Sequence, residues 1–341
     1  MNVKFWGVRG SIPSANHQND AEWKLKRIFE AAQKKLWPEG DNFEDFLNTL
    51  PRYLLNSVGD NTSCVEIKSG DDRLILDGGS GLKSLGLALS DAVSFGAEDF
   101  GIFPEKNRPL TENTEPENEA VGLEMNILFS HFHWDHIQGF PFFTPAYVQK
   151  NKLNLFAKSG QALAHALKAQ QQSPVLFPIA LKDMGAEIIF HDLPDEEFSL
   201  GPFAITTHPL PHPGGCQAFK IKADGRTVIY ATDYEFVNID GEEAAGFVDF
   251  MAGADLMISD TQYTYLESIA REGWGHSTSF SAMDLAIRAG VRRFYLFHHD
   301  PNHSDAKLFD NLNKTTAYHM MMSERGNMII DLAMEGITVE L

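Results

Sequence analysis

The sequence reads as a layered α/β protein. Short strand-like runs and helical stretches are mixed along its length, which suggests layered packing rather than an all-helical or all-strand design. The apolar content is large: 43% of 341 residues are hydrophobic, including 25 Phe and 5 Trp, enough for a sizeable core in one large domain or two medium ones. Ionisable residues also gather just past apolar runs, the usual place for a site built on such a scaffold.

The elements follow in order. "NVKFWGV" opens as a strand and meets the turn "RGSIP". "TSCVEIKS" and "RLILD" form a strand pair joined by "GDD". "DGGSG" breaks that pattern and leads into a short helix, "LKSLGLAL". "MNILF" is a buried strand, after which a helix-and-strand stretch runs to about residue 191. Strands are predicted near 202–208, 217–223, 226–231 and 255–259. Helix 279–289 precedes strand 293–297; helix 305–322 follows, and a final hairpin turns at Glu335-Gly336. No internal repeat is visible.

Residues 1–341 are read as a single domain carrying two insertions, one at about 14–57 and one at about 97–122. The first separates strands that would otherwise follow closely. Leu25, Ile28, Phe29, Ala32 and Leu36 have helical spacing, so an amphipathic helix is expected there, packed on the parent domain in preference to a partner or a lid. The second contains "PEKNRPLTENTEPENEA", acidic and rich in Pro and Asn, and reads as a mobile loop.

The charge balance narrows the partners. A net charge of −19 repels nucleic-acid phosphates, whose binding rests on Lys and Arg contacts, so a nucleic-acid substrate is disfavoured. A small anionic ligand held locally by cations is not. No apolar run approaches the roughly 18 residues of a membrane helix. The N-terminus lacks the features of a signal peptide, and two cysteines, Cys64 and Cys216, imply no disulfide framework. A cytoplasmic protein without membrane attachment is expected.

One segment dominates the chemistry. "FSHFHWDHIQGF", residues 129–140, places His131, His133, Asp135 and His136 directly behind a buried strand. Burying so many polar groups without partners costs several kcal/mol, and a metal ion is the obvious compensation. In an extended segment alternate residues share a side, so His131, His133 and Asp135 can converge, with His136 brought in by the turn. Phe132 and Trp134 then point the other way and can pack. Imidazole nitrogens with a carboxylate suit Zn²⁺ and similar transition metals, not Mg²⁺ or Ca²⁺. A fortuitous polar turn would not explain the partners downstream: His212 in "LPHPGGCQAF", Asp233 in "VIYATDYE", and His298 with His299 in "FYLFHHDPNH". Seven such side chains could hold two metals, with Asp233 bridging.

H-x-H-x-D-H, then a loop His, an Asp after "VIYAT" and a strand-end His resemble the metallo-β-lactamase-fold hydrolases, in particular the phosphodiesterase branch that includes ribonuclease Z and cyclic-nucleotide phosphodiesterases. "GVRGSIP", "GDNTSCVEI", "LILDGGSG", "GWGHST" and "LFHHDP" read like segments of its bacterial members. The resemblance implies an αββα sandwich. It implies that His131, His133 and His212 hold one metal and that Asp135, His136 and His298 hold the other, with Asp233 shared. His298 rather than His299 matches the family's strand-end histidine, and strand alternation sends the two rings to opposite faces. The "HST" histidine, His276, is implied to assist the chemistry without binding metal, its position set by a helix cap from Ser277, Thr278 or Ser279.

The activity so implied is that of a dinuclear phosphodiesterase. Two Zn²⁺ ions (Mn²⁺, Fe²⁺ or Ni²⁺ in their place) would share a hydroxide that attacks a small phosphodiester, foremost a 3′,5′-cyclic nucleotide. Replacing Asp135 is expected to remove activity, and His276 to stabilise charge or donate a proton. The alternatives are a ribonuclease Z-like tRNA 3′ endonuclease and a carbonyl-directed hydrolase such as a lactamase or thioesterase. Residues 137–200 contain no Gly/Pro- and Lys-rich tRNA arm, and "HST" weighs against carbonyl chemistry. A homodimer is suggested by the relatives and by the apolar insertion. Asn61 and Asp77 are candidates to orient ligands, Asp260 reads as a structural strand-end carboxylate, His208 as a strand residue and Cys216 as core.

Overall fold

The computed structural model describes residues 1–14, 18–36, 43–94, 122–323 and 328–341. The acidic insertion, apart from Gly122, lies outside the described residues, as does His17. Among those described, the strands form two seven-stranded sheets. The first contains β1 (Asn2–Gly7), β2 (Cys64–Ser69), β3 (Asp72–Leu76), β4 (Glu124–Leu128), β5 (Lys152–Ala157) and β6 (Glu187–Asp192). The second contains β7 (Phe198–Leu200), β8 (Phe203–Leu210), β9 (Cys216–Ala223), β10 (Arg226–Ala231), β11 (Leu256–Asp260), β12 (Arg293–Phe297) and β13 (Ile329–Leu332). The last strand, β14 (Thr338–Glu340), returns to the first sheet beside β1.

The two sheets face each other across the main core. Val3, Phe5, Val65, Ile67 and Leu128 of the first sheet share one apolar cluster with Ile205, Phe219, Ile221, Val228 and Ile258 of the second. On the outer face of the first sheet, Met125 and Ile127 of β4 meet Leu82 and Leu85 of α4 (Gly81–Ser94), with Leu163 and Leu167 of α6 (Gly160–Gln170) in the same cluster. On the outer face of the second lie α7 (Glu242–Met251), α9 (Ser279–Ala289) and α10 (Asp305–Met322), with the short α8 (Tyr265–Ile269) preceding α9 in the chain. The layers are therefore αββα, as the resemblance implied. No described helix is long and apolar enough to cross a membrane.

Three expectations need correction. The chain does turn near Glu335-Gly336, but it forms no hairpin. β13 pairs in parallel with β12, while β14 pairs antiparallel with β1 in the opposite sheet. Each strand finds an unpaired edge in a different layer, and the turn is held by Glu335 N–H on Val58 O and Gly336 N–H on Phe5 O.

The helical insertion is present as α1 (Gln18–Ala31), α2 (Phe43–Thr49) and α3 (Arg52–Leu55), but its buried face is rotated from the one expected. Leu25 and Phe29 are 54% and 66% exposed, and the side chain of Leu36 lies outside the described residues. Ile28 and Ala32 do pack inward, beside Ala31, but Asp20 and Lys24 share that face in place of Leu25 and Phe29. Asp20 accepts from the Asp305 N–H (3.1 Å) and Lys24 donates to the Asp305 carboxylate (2.6 Å). A face that buries an ion pair is invisible to apolar periodicity. Trp23 and Tyr53 stack with Phe309 of α10, so the described part of this insertion packs on the parent fold.

The third correction concerns the metal-motif loop. Alternation accounts for His131 and His133 only; α5 (Trp134–Ile137) is a single helical turn that delivers Asp135 and His136. The same turn leaves Trp134 62% exposed instead of packed, while Phe132 joins the outer core of the first sheet.

Candidate metal centre

Parallel strands of both sheets end at the same rim. β3 and β4 run parallel in the first sheet, and β10, β11 and β12 run parallel in the second. Asp77 follows β3, the loop from His131 to His136 follows β4, Asp233 follows β10, Asp260 closes β11, and His298 follows β12. The carboxyl ends of parallel strands are where α/β sheets place their ligands. Leaving each strand requires a sharp change of direction: Asp77, Asp233 and His298 adopt φ of 60°, 52° and 58°. Three non-glycine residues held in the left-handed region at one locus mark a site that the surrounding structure over-determines.

Three groups of donors result. His131, His133 and His212 form the first, and Asp135, His136, Asp233 and His298 form the second. The third, Asp260, His276 and His298, shares His298 with the second and sets His276 beside it. In the second, His298 Nε2 stands 3.1 Å from Asp135 Oδ2, 3.3 Å from Asp233 Oδ2 and 3.2 Å from His136 Nε2. Asp233 lies between the first two groups. Its Oδ2 is 3.2 Å from His136 Nε2, while Oδ1 stands 3.9 Å from His131 Nε2 and 4.0 Å from His212 Nε2.

The outer hydrogen bonds settle which nitrogen of each ring faces inward. His136 Nδ1 donates to Asp77 Oδ2 (2.8 Å), and Asp77 also accepts from Ser130 N–H (2.7 Å) and Tyr230 O–H (2.7 Å). His212 Nδ1 donates to Gly275 O (2.8 Å). Both rings therefore turn Nε2 towards the centre, where it could serve a cation as a lone pair. Buried His131 Nε2 makes no hydrogen bond at all. Burial, with neighbouring His136 as a further cause, holds His131 well below the usual histidine range, and burial also lowers His133 and His212. Three neutral imidazoles beside two carboxylates, one buried nitrogen unpartnered, fit a divalent transition cation.

Close approaches hold this geometry. A β-carbon on Gly10 would lie 2.4 Å from His298 Cε1, and one on Gly275, at φ +86°, only 2.3 Å from His212 Nδ1. Neither position tolerates a side chain. Asp77→Ala should therefore leave the strands intact yet weaken metal affinity about 10–100-fold, the usual cost of losing such a supporting carboxylate. Competition with a chromogenic chelator measures it.

The seven candidate donors and His276 are brought together at this rim. His276 lies beside the donors, with Nδ1 3.2 Å from Asp260 Oδ2 and 3.6 Å from Asp233 Oδ1. Burial acts to lower its pKa, but Asp260 and then Asp233 outweigh it, and the imidazole is raised to about 9. Thr278 caps α9, accepting from Ser281 N–H, and so sets where His276 stands. His299 faces away: it bonds Ala333 O (3.0 Å), and burial with nearby Arg9 lowers it to about 3. His208 packs against Phe247 and Phe250, and Cys216 is core.

Asn61 reaches no donor of any group; its amide bonds Glu335 and Ser80. Asp260 is more than a structural carboxylate, because it receives His276 as well as the N–H groups of Gln262 (2.9 Å) and Ser277 (3.0 Å). Its place at the end of a buried strand, as with Asp233, was the available signal. Ser11 N–H, which donates to Asp135 Oδ2 (2.7 Å), left none. Beside His133 a cavity of about 310 Å³ opens, lined by Phe132, Lys158, Gly214, Gly215 and Gln217.

Comparison with known proteins places these features. Residues 101–299 match the family described as a beta-lactamase superfamily domain. The probable metallo-hydrolase YhfI of Bacillus subtilis is 26% identical over 194 residues, covering 54% of this chain and 72% of its own length. Ribonuclease Z of Thermoplasma acidophilum is 25% identical over 229 residues, covering 54% and 71%. Among solved structures, that of YhfI superposes with a TM-score of 0.60 at 19% identity, spanning 100% of this chain and 98% of that one. The short form of human tRNase Z gives 0.56 at 15%, spanning 100% and 99%.

Proposed function

The chain belongs to the beta-lactamase superfamily as a metal-dependent hydrolase, and on that premise we propose that it is a dinuclear phosphodiesterase cleaving a small phosphodiester, foremost a 3′,5′-cyclic nucleotide. The observation that carries this reading is Asp233, whose two oxygens face two separate donor groups. His131, His133 and His212 would hold one cation, and Asp135, His136 and His298 the other, with Asp233 common to both. Zn²⁺ suits these N/O donors, as would Mn²⁺, Fe²⁺ or Ni²⁺. Such a pair lowers the pKa of water and neutralises phosphoryl charge.

The chain's own residues do the rest. Asp77 and Gly275 O fix the rings of His136 and His212, and the Ser11 N–H fixes Asp135. Asp260 holds His276 by Nδ1, leaving Nε2 to donate to the leaving oxygen. A substrate of modest size is supported by the 310 Å³ cavity, at the low end for small-molecule clefts, and by the net charge of −19. Ribonuclease Z-like cleavage of tRNA precursors is the second reading, favoured by the sequence relatives of that name. The same proposal takes residues 1–341 as one domain, homodimeric and cytoplasmic; its two cysteines are buried and unpaired, as a reducing compartment allows.

A substrate panel on zinc-reconstituted protein tests it, comparing cyclic nucleotides, linear dinucleotides, a tRNA precursor and a thioester. Cyclic nucleotides should show the highest kcat/KM. A preference for the tRNA precursor would reverse the two readings, and a preference for the thioester would move the chemistry from phosphorus to carbon.

A further inference from the structure

The loop that delivers His276 carries side chains that the metal chemistry does not use. The Arg271 guanidinium lies 4.9 Å from the centre of the Tyr263 ring and 6.0 Å from that of Trp274. Tyr263 stands edge-on to the His276 imidazole, ring centres 5.5 Å apart at 87°. These groups form a continuous wall running from the proton donor outward. Among the described residues Arg271 forms no ion pair: it reaches the backbone carbonyl of Glu267, whose carboxylate pairs with Lys307 instead. Trp274 is 61% exposed.

The wall is held in place. Gly273 and Gly275 N–H donate to the two oxygens of Glu235, at 3.0 and 2.7 Å, so both neighbours of Trp274 are pinned. Gly275 O in turn receives His212. The indole is thus presented at the rim by the same few residues that orient a candidate ligand. The Arg271 guanidinium donates to the Glu267 carbonyl (3.5 Å), and beside the exposed indole it offers a flat π face and a positive charge, which together suit a planar ring attached to an anion.

We propose that Trp274 and Arg271 form the platform on which the substrate's nucleobase stacks, with its phosphodiester placed over the donors beside His276. The inference rests on the phosphodiesterase reading for the identity of the substrate. They are specificity-determining residues: base–aromatic stacking tolerates any base but favours the larger purine ring. Phe132, in the cavity beside His133, is the competing place for a base.

The test uses zinc-reconstituted protein and two readouts. Calorimetry measures binding of adenosine 5′-monophosphate, and kinetics measure cyclic AMP against methyl p-nitrophenyl phosphate, which has no base. Trp274→Ala and Arg271→Ala should each weaken nucleotide binding about ten-fold or more, while turnover of the base-free ester stays near wild type and Trp274→Phe retains most of the affinity. Unchanged nucleotide binding in Trp274→Ala, or a loss seen only in Phe132→Ala, would overturn the assignment. Trp274-dependent binding without hydrolysis of any cyclic nucleotide would sustain the platform and defeat the cyclic-nucleotide reading instead.

Discussion

Asp233→Asn is expected to lower kcat/KM by about three orders of magnitude or more and to reduce the metal bound per chain. The size follows from what the carboxylate touches. It is fully buried and is the residue that faces the first two donor groups, with Oδ2 at 3.2–3.3 Å from His136 and His298 and Oδ1 turned to His131, His212 and His276. An amide keeps the shape but loses the charge, and metal-centred stabilisation of a transition state amounts to several kcal/mol, with each 1.4 kcal/mol about tenfold in rate. Elemental analysis of the purified variant alongside its kinetics checks both halves. A variant with full metal and full rate would remove Asp233 from the centre.

His276→Ala should behave differently. If the imidazole serves as the proton donor rather than as a ligand, metal content should stay at the wild-type value while kcat falls about 10²–10⁴-fold, the range for a positioned proton donor. Asp260→Asn tests the support behind it: the ring keeps a partner, but not a charged one, and an intermediate loss is expected. Loss of metal together with activity in His276→Ala would assign it to the ligands instead.

These contrasts show which parts of the molecule could be read from residues alone. Helix Ser279–Ala289, strand Arg293–Phe297 and helix Asp305–Met322 form where local signals place them. Thr278 and Ser304 cap the two helices, and an apolar run makes the strand. Elements whose definition is local are legible in this way. The failures share the opposite cause. The ends of β13 and β14 look like a hairpin because a Glu-Gly turn says nothing about which sheet each strand joins. The buried face of α1 was displaced because Asp20 and Lys24 are buried by a partner about 280 residues further on. Asp260 seemed ordinary because its meaning comes from His276, which reaches it from a loop after the strand. The cluster from His131 to His136 stands out for a chemical reason, four ionisable groups crowded behind a buried strand, whereas His276 draws notice only through the resemblance of "GWGHST".

Anomalous diffraction at the zinc edge, from crystals grown with the metal, tests the central claim most directly. Two peaks are expected, one bounded by His131, His133 and His212 and the other by Asp135, His136 and His298, with Asp233 reaching both. No peak at that rim, or a zinc ion bound only elsewhere on the molecule, would contradict it.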